Sequence, residues 1–238
     1  MRFYSLFFEI IQTVLLPILK WQGKKLRKNI VELPEAQGPR SGSMGVGQKL
    51  SILIIGDSSA CGVGVKSMSK SLAGYLIKAL SRNYECNWKI IAKSGLKTSD
   101  LIRLIEEEPV SLFDLVIISI GMNDITSGVS RERWLKELNT LKILVQNKFK
   151  TTRFIFCPMP PVGKFKIIPN PLKRILALKV NLFNVSLSEI CNKDPNSTYL
   201  LINLTFGEEM LASDGFHPSE KFYKLWGLAI HDIIENEV

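Results

Sequence analysis

The feature that most constrains this chain is a fivefold alternation of short apolar runs with longer segments of helical period. The apolar runs span residues 50–55, 88–92, 113–120, 153–157 and 199–203. They read as continuous buried strands, rich in Ile, Val and Leu rather than alternating with polar residues. Between and after them, residues 69–81, 99–107, 131–149, 172–191 and 220–234 place apolar side chains at helical spacing. Strand followed by helix, five times over, predicts a parallel sheet covered on both faces. Right-handed crossovers then favour a three-layer α/β/α, flavodoxin-like fold with a parallel five-stranded sheet. In such a sheet, ligands bind beyond the carboxyl ends of the strands.

The expected organisation is an apolar and basic segment at 1–30, a linker at 31–48 and a catalytic domain at 49–238. Residues 3–19 are mostly apolar, broken by Glu9, Gln12 and Pro17. A basic run follows: Lys20, Lys24, Lys25, Arg27 and Lys28. A spanning helix needs about 20 apolar residues. A helix lying in the interface, its lysines on anionic head groups, fits this pattern as well. Residues 1–50 hold eight basic and three acidic side chains, more than half of a net charge of +9. That concentration argues against nucleic acid, which calls for a basic stripe across the fold. The expectation is a membrane-associated protein whose catalytic domain is cytoplasmic, by the basic bias after the apolar run. Export by an N-terminal signal is the alternative, although no small-residue cleavage triplet follows the run. Residues 33–47, rich in Gly, Pro and Ser, read as a linker or an irregular wrap.

Cys61, Cys86, Cys157 and Cys191 show no C-x-x-C spacing, and there are two histidines. A zinc site is therefore not expected. Isolated cysteines in apolar segments act as small hydrophobes and suit a reducing compartment.

Four motifs follow the predicted strands. Gly56-Asp57-Ser58-Ser59 puts a serine hydroxyl on a turn after the first. A serine nucleophile needs a base. Asp214 and His217, in the stretch Ser213-Asp-Gly-Phe-His-Pro218, supply one. A turn can fold that carboxylate onto the imidazole Nδ1 and leave Nε2 facing a cleft. His231 lies inside the last helix and reads as structural. Asn123, in Gly121-Met-Asn-Asp124, can donate to a developing oxyanion. Ser94-Gly95 offers a backbone N–H that a ligand can approach closely. Asp57 and Asp124 read as structural carboxylates that hold loops through backbone N–H groups. Each motif has a plain reading as a turn or cap, and Ser58, Ser59 and Gly62 could instead cradle a phosphate in a flavodoxin-like binding module.

Taken together, the blocks GDSSACGVGV, AKSGLKTSD, ISIGMNDIT and SDGFHPS resemble the SGNH hydrolases, or GDSL lipase/esterase family, over residues 50–235. Ser59 replaces the leucine of the family name. The resemblance implies Ser58 as nucleophile, His217 as base and Asp214 as its orienter. It implies an oxyanion hole from the Ser58 and Gly95 N–H groups and the Asn123 amide. No metal or organic cofactor is implied. The expected activity is that of a serine ester hydrolase of carboxylesterase or lysophospholipase type, acting on a small-molecule ester or a lysolipid through an acyl-enzyme. A carbohydrate acetyl esterase of the same fold is the alternative. The apolar residues at 165–168 read equally well as a contact for an acyl chain and as loop packing.

Overall fold

A computed structural model describes residues 2–202 and 205–236, with side chains from residue 15 onward. Asn203, the last residue of the expected fifth strand, lies outside the described residues, as do the side chains of 3–14 on which the apolar N-terminal reading partly rests.

The sheet is built around β2 (Gln48–Gly56). It pairs in parallel with β3 (Tyr84–Ala92) on one side and β4 (Leu115–Ser119) on the other. Beyond β4 come β5 (Arg153–Phe156) and β6 (Ser197–Tyr199), also parallel. Ile52, Leu53, Ile54 and Ile55 have no exposed surface. Ile52 and Ile54 join one core while Leu53 and Ile55 join the other. A strand apolar at every position is what a sheet buried on both faces requires. One core is closed by α2 (Leu72–Leu80) and α7 (Glu220–Asn236). The other is closed by α3 (Thr98–Glu107), α5 (Arg131–Phe149) and α6 (Leu172–Cys191). The four cysteines are free and buried in these cores.

The three-layer expectation holds, with one addition. A sixth strand, β1 (Ser41–Met44), lies antiparallel on the outer edge of β3, giving the order β1-β3-β2-β4-β5-β6. It falls in the expected linker. The stretch before it is also bound to the body: Ala36 N–H donates to Cys61 O at 3.1 Å, and Gln37 N–H donates to Lys66 O at 3.1 Å. The short helix α4 (Met122–Thr126) occupies what reads in sequence as a turn. The last strand begins earlier than expected, although Leu200 N–H still donates to Phe156 O at 2.9 Å.

Helix α1 (Arg2–Asn29) runs unbroken through Pro17. Gln22 anchors its second half. Its Nε2 donates to Asn170 O at 2.6 Å, and its Oε1 accepts Leu172 N–H at 3.0 Å. Leu16, Ile18 and Trp21 remain exposed. Among the described residues, no helix is long and apolar enough to cross a membrane.

Candidate active site

Register brings three motifs together. Gly56 is level with Ala92 of β3 and Ser119 of β4. The turns leaving these three strands therefore start side by side. The first carries Ser58, the second Gly95 and the third Asn123. A Cβ on Gly56 would sit 2.1 Å from Ser119 O. Glycine is thus what lets β2 and β4 run close at the point where the Ser58 turn begins.

The segment between β6 and α7 supplies the other partners. Asp214 Oδ1 accepts the backbone N–H groups of Phe216 at 2.9 Å and His217 at 3.0 Å. Its Oδ2 lies 2.5 Å from His217 Nδ1. Burial works against ionisation of Asp214, but the imidazole and the two N–H groups outweigh it and hold the carboxyl below its ordinary range. An ionised carboxylate accepts, so Nδ1 carries the proton and donates to Asp214. Nε2 is then free to accept from the Ser58 hydroxyl, 3.1 Å away. His231 lies on α7 beside Asp232, with Nδ1 and Oδ1 3.0 Å apart, and has no part in this cluster.

The Ser58 and Gly95 N–H groups donate to no protein acceptor among the described residues. Gly95 holds φ at +82° in open space, so backbone conformation alone selects glycine there. Asn123 is engaged in two bonds. Its Nδ2 donates to Leu96 O at 3.0 Å and to Asp57 Oδ2 at 3.2 Å. Asp57 also accepts Ser59 N–H at 3.2 Å. Burial raises the Asp57 carboxyl to about 7, despite that N–H bond. Asp124 is fully buried and accepts the Thr98 N–H and hydroxyl. Burial raises it to about 6. Both carboxylates hold loops, and Asp57 also orients the Asn123 amide, a contact that the sequence does not show.

The phosphate-cradle alternative fails on the same loop. Ser59, Cys61, Gly62 and Val63 spend their N–H groups on Asp57 Oδ1 and on loop carbonyls. A cradle needs such groups free, and among the described residues only Ser58, of Ser58, Ser59 and Gly62, keeps its N–H so.

An apolar cavity of about 240 Å³ opens beside Asp57, Ser59 and Pro218. Ile120, Met159, Leu200, Phe222 and Trp226 form much of its wall. The 165–168 stretch has another role. Phe165 and Ile168 are fully buried, with Phe165 stacked on Phe206 and edge-on to Phe216. It packs the loop beneath His217 and does not line the cavity. The cavity wall comes instead from Pro158 to Pro161, earlier in the same loop.

A Ser–His–Asp cluster at the strand ends of a three-layer sheet marks a class of hydrolytic enzymes. Residues 54–225 match the GDSL-like Lipase/Acylhydrolase family, and the chain belongs to that family. It is an ester-hydrolysing enzyme. Solved structures share its fold. A lipolytic protein of the G-D-S-L family from Veillonella parvula DSM 2008 is 18% identical, with a TM-score of 0.63. The alignment covers 78% of this chain and 98% of that one. A catalytic mutant of Axe2, an acetylxylan esterase from Geobacillus stearothermophilus, is 19% identical, with a TM-score of 0.61 over 80% and 96% of the two chains. A putative platelet activating factor from Streptococcus pneumonia is 18% identical at a TM-score of 0.59, covering 97% of this chain and 99% of that one. No curated protein sequence matches the chain.

Proposed function

We propose that the enzyme is a serine carboxylesterase or lysophospholipase working through an acyl-enzyme on Ser58. The observation that carries this reading is the bonded series Ser58 Oγ, His217 Nε2, His217 Nδ1, Asp214 Oδ2, at 3.1 and 2.5 Å. His217 takes the proton as Ser58 attacks the ester carbonyl. Asp214 keeps the imidazole in the productive tautomer and stabilises its cation. The oxyanion forms between the free N–H groups of Ser58 and Gly95. Asn123 joins them by exchanging its long bond to Asp57 for the oxyanion. His217 then protonates the leaving alcohol, and water repeats the sequence on the acyl-enzyme.

The apolar cavity lined by Asp57 and Ser59, the residues that flank Ser58 in the chain, supports an acyl chain as the group retained. A cavity of roughly 150 Å³ is enough to hold benzene. A space of about 240 Å³ therefore suits a medium-length chain. The test is hydrolysis of p-nitrophenyl esters from acetate to dodecanoate by wild type and Ser58→Ala. Ser58→Ala loses about 10⁶ in kcat, by analogy with other serine triads. The wild-type optimum falls at medium chain length. Retained activity in Ser58→Ala overturns the mechanism. An optimum at acetate moves the substrate to sugar acetyl esters, the alternative that the likeness to an acetylxylan esterase favours.

We further propose that α1 attaches the enzyme to an anionic membrane surface, with the catalytic domain on the cytoplasmic side. Leu16, Ile18 and Trp21 are exposed on a helix that also bears Lys20, Lys24, Lys25 and Lys28. Apolar and basic groups together on an exposed helix suit the head-group boundary. Co-sedimentation with phosphatidylserine vesicles but not with phosphatidylcholine vesicles is the expected result. It weakens in Trp21→Ser and in the double change Lys24→Glu, Lys25→Glu. Equal recovery with both vesicle types removes the electrostatic half of the proposal.

A further inference from the structure

The N–H groups of Ser58 and Gly95 belong to turns leaving different strands, so something must fix the distance between them. Residues 35–40 span both turns, and they precede the segment 54–225 that defines the family. Glu35 Oε1 accepts the Ser94 N–H at 2.8 Å. Its Oε2 pairs with Arg40 Nη2 at 2.5 Å. Arg40 Nη1 in turn donates to Ala92 O at 2.8 Å, the last residue of β3. On the other side, the arm reaches the turn of Ser58 through the residue that follows Glu35. The next residue, Ala36, donates its N–H to Cys61 O at 3.1 Å. Cys61 N–H closes the Ser58 turn onto Asp57 O at 3.1 Å. Two consecutive residues therefore tie the turns together, the Glu35 carboxylate on the turn of Gly95 and the Ala36 N–H on the turn of Ser58.

The consequence for Gly95 is geometric. The bond from Ser94 N–H fixes the peptide plane that precedes Ser94. The Gly95 N–H sits on the next plane and can swing only about the Ser94 Cα bonds and through the permissive φ of glycine. Removing the acceptor frees both planes. The Ser94 bond is charge-assisted, which makes it the stronger kind. Partial burial opposes ionisation of Glu35, but the bonds from Ser94 and Arg40 prevail and hold it at about 2. It stays a carboxylate wherever the enzyme works.

We infer that Glu35 is a positioning residue for the oxyanion hole, contributed by the arm that precedes the family segment. The inference rests on the reading of the Ser58 and Gly95 N–H groups as oxyanion donors. Glu35 touches no reacting atom and acts through the Ser94–Gly95 turn.

The experiment uses the full chain as wild type, Glu35→Ala, Glu35→Gln and Ser58→Ala. It measures kcat and KM on a p-nitrophenyl ester, and affinity for an alkylboronic acid. Boron accepts Ser58 Oγ and becomes a tetrahedral anion, which reports on the oxyanion hole, while KM reports on the ground state. A misaimed donor costs on the order of 10- to 100-fold, less than one removed outright. Glu35→Ala is therefore expected to lose that factor in kcat and in boronate affinity, with KM changed less than about twofold. Glu35→Gln keeps an oxygen for the Ser94 N–H and restores most of both. If Glu35→Ala does not fold, Glu35→Met, which fills similar space without an oxygen acceptor for the Ser94 N–H, gives the same comparison with Glu35→Gln. A kcat and boronate affinity equal to wild type in Glu35→Ala overturn the inference. So does a loss in which KM rises and boronate affinity is untouched. Activity surviving in Ser58→Ala overturns the underlying site reading instead, and so separates the two failures.

Discussion

At the residue scale, the site depends on which groups are occupied and which are free. Among the described residues, Ser58 and Gly95 keep unspent N–H groups, while Asn123 spends both amide hydrogens on Asp57 and Leu96. On the proposed mechanism, Asn123→Ala is expected to lower kcat by about 10² to 10³ with little change in KM, since the amide would act only on the developing charge. An unchanged kcat would place Asn123 outside the mechanism and leave it a tie between two turns. Asp214→Asn is expected to cost about 10⁴ in kcat while preserving fold, because an amide can present its N–H to Nδ1 and favour the wrong tautomer. These positions are legible in sequence because their chemistry demands particular residue types just after strands. Asp57 is legible only in half. Its bond to Asn123 joins residues far apart in the chain, and nothing local announces it. Gly56 makes the same point sterically. Gly56→Ala drives a methyl into Ser119 O and is expected to cost roughly 1–3 kcal/mol, read as a lower urea midpoint at unchanged m-value.

At the element scale, the strands with an apolar signature are the ones that sequence reveals. β4 and the inner half of β2, from Ile52 to Ile55, are apolar at nearly every position and sit between covered faces. β1 has the sequence Ser-Gly-Ser-Met and is exposed throughout. It exists by hydrogen bonding to the edge of β3, and Gly42 is tolerated because the Trp88 ring lies where its Cβ would be. No periodicity records such a strand. The cavity wall is hidden for a related reason. Five prolines between 158 and 171 announce an irregular loop, but its course is set from outside. Asn184 on α6 brackets Met159, accepting its N–H and donating to its C=O, both at 2.9 Å. Met159 lines the apolar cavity. Asn184→Ala is expected to cut kcat/KM for octanoate esters about tenfold while leaving acetate within about twofold, because only the longer chain reaches the loosened wall. Equal losses on both esters would show that Asn184 supports the fold and not the chain pocket.

At the scale of the whole molecule, the carboxylates divide into two sets that oppose each other with pH. Asp57 and Asp124 are raised by burial to about 7 and about 6, from an ordinary 3.8. Between 3.8 and those values the folded chain keeps protons that the unfolded chain has lost. Their contribution to stability is therefore whole below 3.8 and declines as pH rises through 6 to 7. Glu35 and Asp214 are lowered by their hydrogen bonds. Their contribution is present above the ordinary carboxylate range and disappears as pH falls toward about 2 for Glu35. The two trends cross in mildly acidic solution, so the urea midpoint should be higher near pH 5 than near pH 8. Asp57, next to Ser58 in the chain, is a main cause of the decline above pH 5. Asp124→Asn separates the terms. Its amide oxygen still accepts the Thr98 N–H, but no buried charge forms as pH rises. The variant's urea midpoint should change less between pH 5 and pH 8 than that of wild type. A wild-type midpoint that rises steadily from pH 5 to pH 8 would mean that these buried carboxylates ionise without cost, and that the Asp57–Asn123 contact is held by a full charge throughout.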